Sequence, residues 1–440
     1  MAGAKAWVKL LTASWCSGES RRIHEHLFQG ILPFWRDHGP DWEHGGLFTA
    51  FDNRSSSLRS HDKFIWSQGR ALWLFVQLYR FTGDAAWKTL ADHVYEFILF
   101  AAFDGPERCY FQVAADGEPI PDADGNLFPS TYVDCFVVLG LAAHGALLSC
   151  ENSLSRAVAL FRSIHRRLRE GSFQTAPYPV PPGMDAHGVH MMVALCGTEL
   201  YHALATKPGR GADSAFVREV VAGELTAIAK DFGTPSGPFR EFRLLVPDSS
   251  MSKALILDYH NPGHTLESVG LLLQSRTIWG EIVPTKQLMA ITLATLTRAW
   301  DGVAGGLFTF VPAEVGDPDT LFAPSTHAAD PLDGHIMTTK ILGDWSLKLW
   351  WVHAEAMYTV LALAIETDDP ALLQWYERIR SYTLETFPHP EGTEWIQIRD
   401  RWGVPLDTVV ALPVKDPFHI PRSFLGLLAM LDRSSLSDPE

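Results

Sequence analysis

Residues 69–84 read GRALWLFVQLYRFTGD. Leu72, Phe75, Val76 and Tyr79 recur at the spacing of one helical face, while Trp73, Leu74 and Leu78 fill the other side. A helix that is apolar nearly all round must be buried on more than one side. The same texture returns in WKTLADHVYEFILF, YVDCFVVLGLAAHGALL, MMVALCGTELYHAL, TLESVGLLLQS, MAITLATLTRAW, LKLWWVHAEAMYTVLALAI, LLQWYERIRSYTLETF and RSFLGLLAMLD, so helix follows helix with few strand breaks. Between them lie short Gly-rich pieces, and two of these are near copies: GGLFTAFD at 45–52 and GGLFTFVP at 305–312, each after an acidic, Trp-containing lead. That is a weak internal repeat. Serial helical pairs with recurrent hairpin-like loops predict an all-α fold, a closed (α/α) barrel forming a single domain over 1–440. The Pro-rich stretches 177–182 and 312–334 are expected to be long loops. The wider segment 312–345, which lacks helix periodicity, is expected to form a mobile lid or edge of the mouth.

The 440 residues, 47% of them apolar, are enough for a sizeable core. A net charge of −15 without a long basic run argues against a nucleic-acid partner, which needs clustered Lys and Arg. No run of about 18 apolar residues exists to span a membrane. The N-terminal AWVKLLTASWC is broken by Lys9 and too short for an export signal. Cys16, Cys109, Cys135, Cys150 and Cys196 form no CxxC and no metal-type pairing. Reduced thiols and a cytoplasmic setting are expected.

Four stretches carry titratable groups at helix entrances. In YHNPGHTLE (259–267), Asn261 suits the N-cap and Pro262 the first helical position, which puts His264 in the first turn with Glu267 three residues on. Residues three apart share a face, so imidazole and carboxylate are expected to touch. The helix end disfavours an imidazolium and Glu267 favours one, which poises the ring for acid–base work near neutrality. A capping pair of purely structural purpose fits the same spacing. A zinc pair of His260 and His264 does not, because HNPGH is not HExxH and Pro262 falls between them. In FHIPRSFLGLL (418–428), His419 again stands where Pro421 opens an apolar helix, so both histidines could face one mouth. In DKFIWSQGRALW (62–73), Arg70 starts a buried helix and needs an anion, either a ligand or a carboxylate such as Glu355. In LKLWWVHAEAM (347–357), Trp351 and Glu355 lie one turn apart, and an aromatic face beside a carboxylate suits a sugar ring.

Taken in order, DKFIWSQGRALW, HNPGHTLE, LKLWWVHAEAM and FHIPR resemble the N-acylglucosamine 2-epimerase family, as does FWRDHGPDWEHGGLF at 34–48. The resemblance covers about residues 30–430 and is closest to the N-acyl branch; cellobiose 2-epimerases and mannose isomerases share the motifs. It implies an (α/α)6 barrel binding an open-chain sugar at its mouth. His264 and His419 match the acid–base pair, Glu267 the carboxylate partnering the first, and Arg70 the cation facing the carbonyl or enediolate oxygen. It implies substrate contacts at Tyr132, Trp351, Glu355, Lys63 and His190. The activity implied is sugar 2-epimerisation between N-acylglucosamine and N-acylmannosamine types, with aldose–ketose isomerisation or epimerisation of an unacylated sugar as the alternative. No metal and no cofactor is required; ATP or another nucleotide is implied as an allosteric activator, and a homodimer as the assembly. Leu195 aligns where some members carry His or Asn, Trp350-Trp351-Val352 replaces the usual Trp-Trp-Pro, and 235–258 and 312–345 match poorly. Two rivals follow from the fold and the departures. A glycoside hydrolase would need two opposed carboxylates at roughly 5–10 Å, and a silent sugar-binding homologue would keep the barrel without turnover.

Overall fold

Among the described residues twelve long helices build the barrel, and each apolar run quoted above is one of them. The computed structural model describes residues 11–234, 237–248 and 250–436, with side chains described up to 432. The helices are α1 (Ala13–Glu25), α2 (Ile65–Thr82), α3 (Ala85–Ala101), α4 (Thr131–Leu147), α5 (Glu151–Glu170) and α6 (His187–Ala205). They continue as α7 (Gly211–Asp231), α8 (Pro262–Trp279), α9 (Thr285–Ala299), α10 (Trp350–Thr367), α11 (Pro370–Thr386) and α12 (His419–Leu436). The even-numbered helices form an inner ring, and each packs against one outer partner, giving the pairs α2/α3, α4/α5, α6/α7, α8/α9, α10/α11 and α12/α1. This is the (α/α)6 barrel, and its last pair joins the two ends of the chain.

Position in the ring decides composition. Inner α4 buries fourteen of its seventeen residues, as a helix packed on all sides must. Outer α5 buries a stripe, Leu154, Ala157, Val158, Phe161 and Ile164, and turns Arg166 and Arg169 to solvent. The reading by all-round apolar texture therefore found every inner helix but passed over the outer helices α1, α5 and α7, of which α1 and α5 are the most polar of the twelve.

Short antiparallel strands precede four of the inner helices. Lys63–Phe64 pairs with Gln112–Val113, Met184–Ala186 with Phe242–Leu244, Tyr259–His260 with Val311–Pro312, and Lys348–Leu349 with Ile398–Arg399. They bring the N-terminal ends of α2, α6, α8 and α10 to one mouth. The two GGLF copies are structural copies as well. Gly45, Gly46, Gly305 and Gly306 all adopt positive φ, where glycine is favoured. Asp41 Oδ1 accepts the N–H groups of Glu43 and His44 as Asp301 Oδ1 accepts those of Val303 and Ala304. The other carboxylate oxygen of each binds a fully buried lysine, Lys63 Nζ at 2.7 Å and Lys348 Nζ at 3.2 Å.

The segment 312–345, expected as a mobile lid or edge of the mouth without helix periodicity, does lie at the mouth, where Met337 and Lys340 line the pocket, but it is not free of helix. It contains the helix Ile336–Asp344, and it buries Phe322, Met337 and Ile341 in a second small core with Met184, Phe242, Tyr259 and Phe310. Met337 and Ile341 are one turn apart, a pattern too brief to register as periodicity. The segment is a packed wall of the mouth. No helix of the described residues is long and apolar enough to cross a membrane.

Candidate active site

The mouth opens on a pocket into which Arg70, Tyr132, His264, Glu267, Trp351 and His419 all project. Five inner helices, α2, α4, α8, α10 and α12, supply these groups, and the first-turn rules place two of them. Asn261 caps α8, its side chain accepting the His264 N–H at 3.2 Å, with Pro262 in the first turn as expected. Gly263 lies flat against the Trp351 indole, where a Cβ would overlap the ring. The Trp351 ring in turn stands between the two imidazoles, with centroids 5.4 Å from His264 and 5.6 Å from His419.

The expected contact between His264 and Glu267 is not made. His264 Nδ1 bonds Glu241 Oε2 at 2.8 Å, a residue on the short stretch leading into the Phe242–Leu244 strand. Glu267 Oε1 instead accepts from Arg422 Nη1 at 2.7 Å. The physical reason is charge: a buried guanidinium needs a full counter-charge, so Arg422 claims Glu267, and the imidazole turns to the carboxylate on its other side. Burial opposes the His264 imidazolium, yet the adjoining Glu241 outweighs it and the net displacement is upward. For Glu241, burial works against ionisation and the two neighbouring imidazoles more than compensate, holding it down at about 2. Glu267 keeps an influence on His264 through its field alone. His264 Nε2 makes no hydrogen bond to a described residue and is left for a ligand.

His419 is tied in a parallel way. Its Nδ1 bonds Glu355 Oε1 at 2.9 Å, and the same oxygen accepts from Arg422 Nη1 at 2.8 Å. Arg70 Nη2 lies 3.4 Å from His419 Nε2. A guanidinium only donates, so this ring nitrogen is an acceptor and Nδ1 carries the hydrogen. Arg70 rests on the Phe136 ring at 4.0 Å, and its Nη1 pairs with Asp416 Oδ1 at 2.9 Å. Its buried partner is thus Asp416, not Glu355. Asp416 also accepts the N–H groups of Phe418 and His419 and the Trp350 Nε1–H, which fixes the start of α12. Local spacing could have revealed Arg422, three residues after His419 in the quoted FHIPR. Glu241 carried only one sign, a lone carboxylate among aromatics in PFREF.

Tyr132 points into the pocket beside Gly188 and the His264 ring, and burial pushes its phenol well above the usual range, so it is a neutral hydrogen-bond donor. Two expected substrate contacts lie elsewhere. Lys63 is fully buried against Asp41 and the Ala115 carbonyl, between the Phe48 and Phe97 rings, because a lysine there neutralises the turn carboxylate. His190 is held between Asp185 and Glu224 outside the pocket lining, and the two carboxylates outweigh its burial to raise it to about 9. Glu355 acts behind His419 and does not line the pocket. Leu195 lines a separate cavity at the other end of the barrel, so its identity does not bear on the two histidines directly.

Among the described residues two clusters have the donors for a metal ion, His187–Glu241–His264 and Glu267–Glu355–His419. In the second, Arg422 already bridges both carboxylates and occupies the position of a cation. In the first, Glu241 hydrogen-bonds the His264 ring at 2.8 Å and lies 3.5 Å from the His187 ring, so the carboxylate is already engaged by an imidazole. Glu267 and Glu355 converge on one arginine and do not oppose each other across the pocket, as the two-carboxylate chemistry of glycoside hydrolysis requires. What the arrangement offers is two basic nitrogens on either side of one aromatic ring, with a guanidinium beside them.

The N-acylglucosamine 2-epimerase family profile matches residues 46–421. The N-acylglucosamine 2-epimerase of Mus musculus is 26% identical over 430 residues, covering 91% of this chain and 89% of that protein. The Homo sapiens enzyme of the same name is 26% identical over 404 residues, covering 89% and 85%. Among solved structures, cellobiose 2-epimerase from Bacillus thermoamylovorans superposes with a TM-score of 0.74 at 20% identity, over 94% of this chain and all of that one. A D-mannose isomerase does so with a TM-score of 0.68 at 15% identity, over 97% and all. The solved structures bear on the fold.

Proposed function

Because the chain belongs to the N-acylglucosamine 2-epimerase family and is an isomerase of the sugar 2-epimerase type, we propose that it interconverts N-acylglucosamine and N-acylmannosamine by moving the proton at C2 of the open-chain sugar. The observation that carries this reading is the pair of imidazoles flanking Trp351, each tied at Nδ1 to its own buried carboxylate. In the open chain, the C1 carbonyl acidifies the C2 hydrogen. One histidine takes that proton on Nε2, the C–H electron pair moves into an enediolate, and Arg70 with Tyr132 donates to its oxygens. The other histidine returns a proton to the opposite face of C2, which inverts the centre. Glu241 and Glu355 orient the two rings, and Arg422 with Glu267 balances the charge beneath them.

The catalytic domain is assigned to the barrel as one unit over 1–440. Members of this family generally need no cofactor, and the substrate is a sugar. ATP or another nucleotide as activator, a homodimer and a cytoplasmic setting rest on the family resemblance. Incubation with N-acetylmannosamine in heavy water tests the central step: N-acetylglucosamine should form with deuterium at C2. A panel including mannose, glucose and cellobiose separates the alternatives, and a ketose product in place of an epimer would make the enzyme an isomerase. No product from any of them would sink the reading.

Arg70→Lys keeps the charge but loses the planar fork that holds Asp416 while facing the pocket. Turnover is expected to fall at least tenfold, about 1.4 kcal/mol at the transition state. Near-wild-type kcat in the folded variant would leave Arg70 as a structural ion pair only.

A further inference from the structure

Behind His264 and Glu241 lie two buried polar groups, His187 and Ser268, that the mechanism above does not use. His187, the first residue of α6, is fully buried and outside the pocket lining. Its backbone N–H donates to the Glu241 carbonyl at 2.9 Å, next to the strand register Ala186↔Phe242. Its ring stacks on Phe239 at 5.6 Å, with Nε2 3.1 Å from Ser268 Oγ and Nδ1 3.5 Å from Glu241 Oε1. Ser268 lies one turn after His264 on the same helix, so the contacts Ser268–His187–Glu241–His264 leave α8 and return to it.

Neither His187 Nδ1 nor Glu241 Oε1 has a hydrogen-bond partner of its own among the described residues, and the two face each other at 3.5 Å. We propose that His187 is a positioning residue for His264: the polar edge of its ring faces the otherwise unpaired oxygen of Glu241 and so holds the carboxylate toward the His264 ring. The inference rests on the acid–base role proposed for His264. Burial disfavours a charged His187 and its pKa is lowered, so it faces Glu241 as a neutral ring. His264 also faces Glu267 on its own helix and Tyr132 from α4; Tyr259 adjoins Glu241, and His419 with Arg70 lies across the pocket. Without the His187 ring beside it, that unpaired Glu241 oxygen faces an apolar neighbour instead, the carboxylate binds a proton more readily, and His264 binds its own less tightly.

The test is the His264 titration, followed by ¹⁵N NMR of the imidazole in the full-length protein, beside the pH dependence of kcat. His187→Phe keeps a ring against Phe239 and removes the polar edge. The His264 midpoint and the alkaline limb of kcat should both move down by about one pH unit, with kcat about tenfold lower and KM within about twofold. His187→Gln, which restores a polar group, should recover most of the shift. Should His187→Phe fail to fold, Ser268→Ala, which frees the His187 ring, should move the midpoint in the same direction by a smaller amount. Midpoints within about 0.2 unit of wild type in the folded variants would overturn the proposal. The NMR titration needs no turnover, so failure of the epimerase reading would show separately, as absence of product in the wild type.

Discussion

His264→Asn and His419→Asn are each expected to lower turnover by about 10² to 10⁴ while leaving the barrel folded. Asn keeps polarity but does not titrate near neutrality, so only the proton transfer is lost. The two variants are not equivalent, because the rings are wired differently. Glu241 serves His264 and pairs with no arginine or lysine among the described residues, whereas Glu355 shares its oxygen between His419 and Arg422, and Arg70 faces the His419 Nε2. If each ring serves one face of C2, a single variant in heavy water should exchange deuterium into unreacted substrate on the surviving face without forming epimer. Full activity in both variants would leave the two motifs as well-capped helix starts.

The largest stability effect is expected at Lys63. Its Nζ meets Asp41 Oδ2 and the Ala115 carbonyl, both at 2.7 Å, with neither Lys63 nor Asp41 appreciably exposed. Lys63→Met strands the Asp41 carboxylate in the interior, and breaking a buried pair by removing one partner costs about 3–5 kcal/mol. Denaturant titration should show that loss, while kcat per folded molecule stays within about threefold, as expected of a group outside the pocket. Adding Asp41→Leu should recover much of the stability, since no lone charge remains. A stable Lys63→Met protein with a raised KM would instead return Lys63 to the sugar.

The inner ring was readable from sequence because those helices are apolar on every face, as in GRALWLFVQLYRFTGD. The outer ring was half readable: α3, α9 and α11 were found, but α5 hides its buried stripe among Arg and Glu. Helix-start chemistry placed His264 in its first turn, with Asn261 as cap. What local rules did not supply was the partner of each charge. Glu267 lies on the correct face for His264, yet Arg422, 155 positions away in the chain, takes it. Glu241 reaches His264 from a stretch without helical period or strong motif. Contacts three residues apart are allowed by geometry; which of them forms is decided by the whole set of buried charges.

The pairing of α1 with α12 has a consequence for how the protein is made. Ser20 Oγ bonds Asp432 Oδ1 at 2.9 Å across 412 positions, and Glu19 reaches Tyr376 and Arg380. Five of the six helical pairs consist of consecutive helices and can assemble as the chain leaves the ribosome. The sixth closes the ring only after nearly all of the chain has been synthesised. Contacts of such separation carry the full loop-closure entropy and form slowly. His419 and Arg422 lie on that last helix, so a nascent chain with five completed hairpins already holds His264 and Glu241 but has no second imidazole. The pair of bases comes into being with closure of the ring.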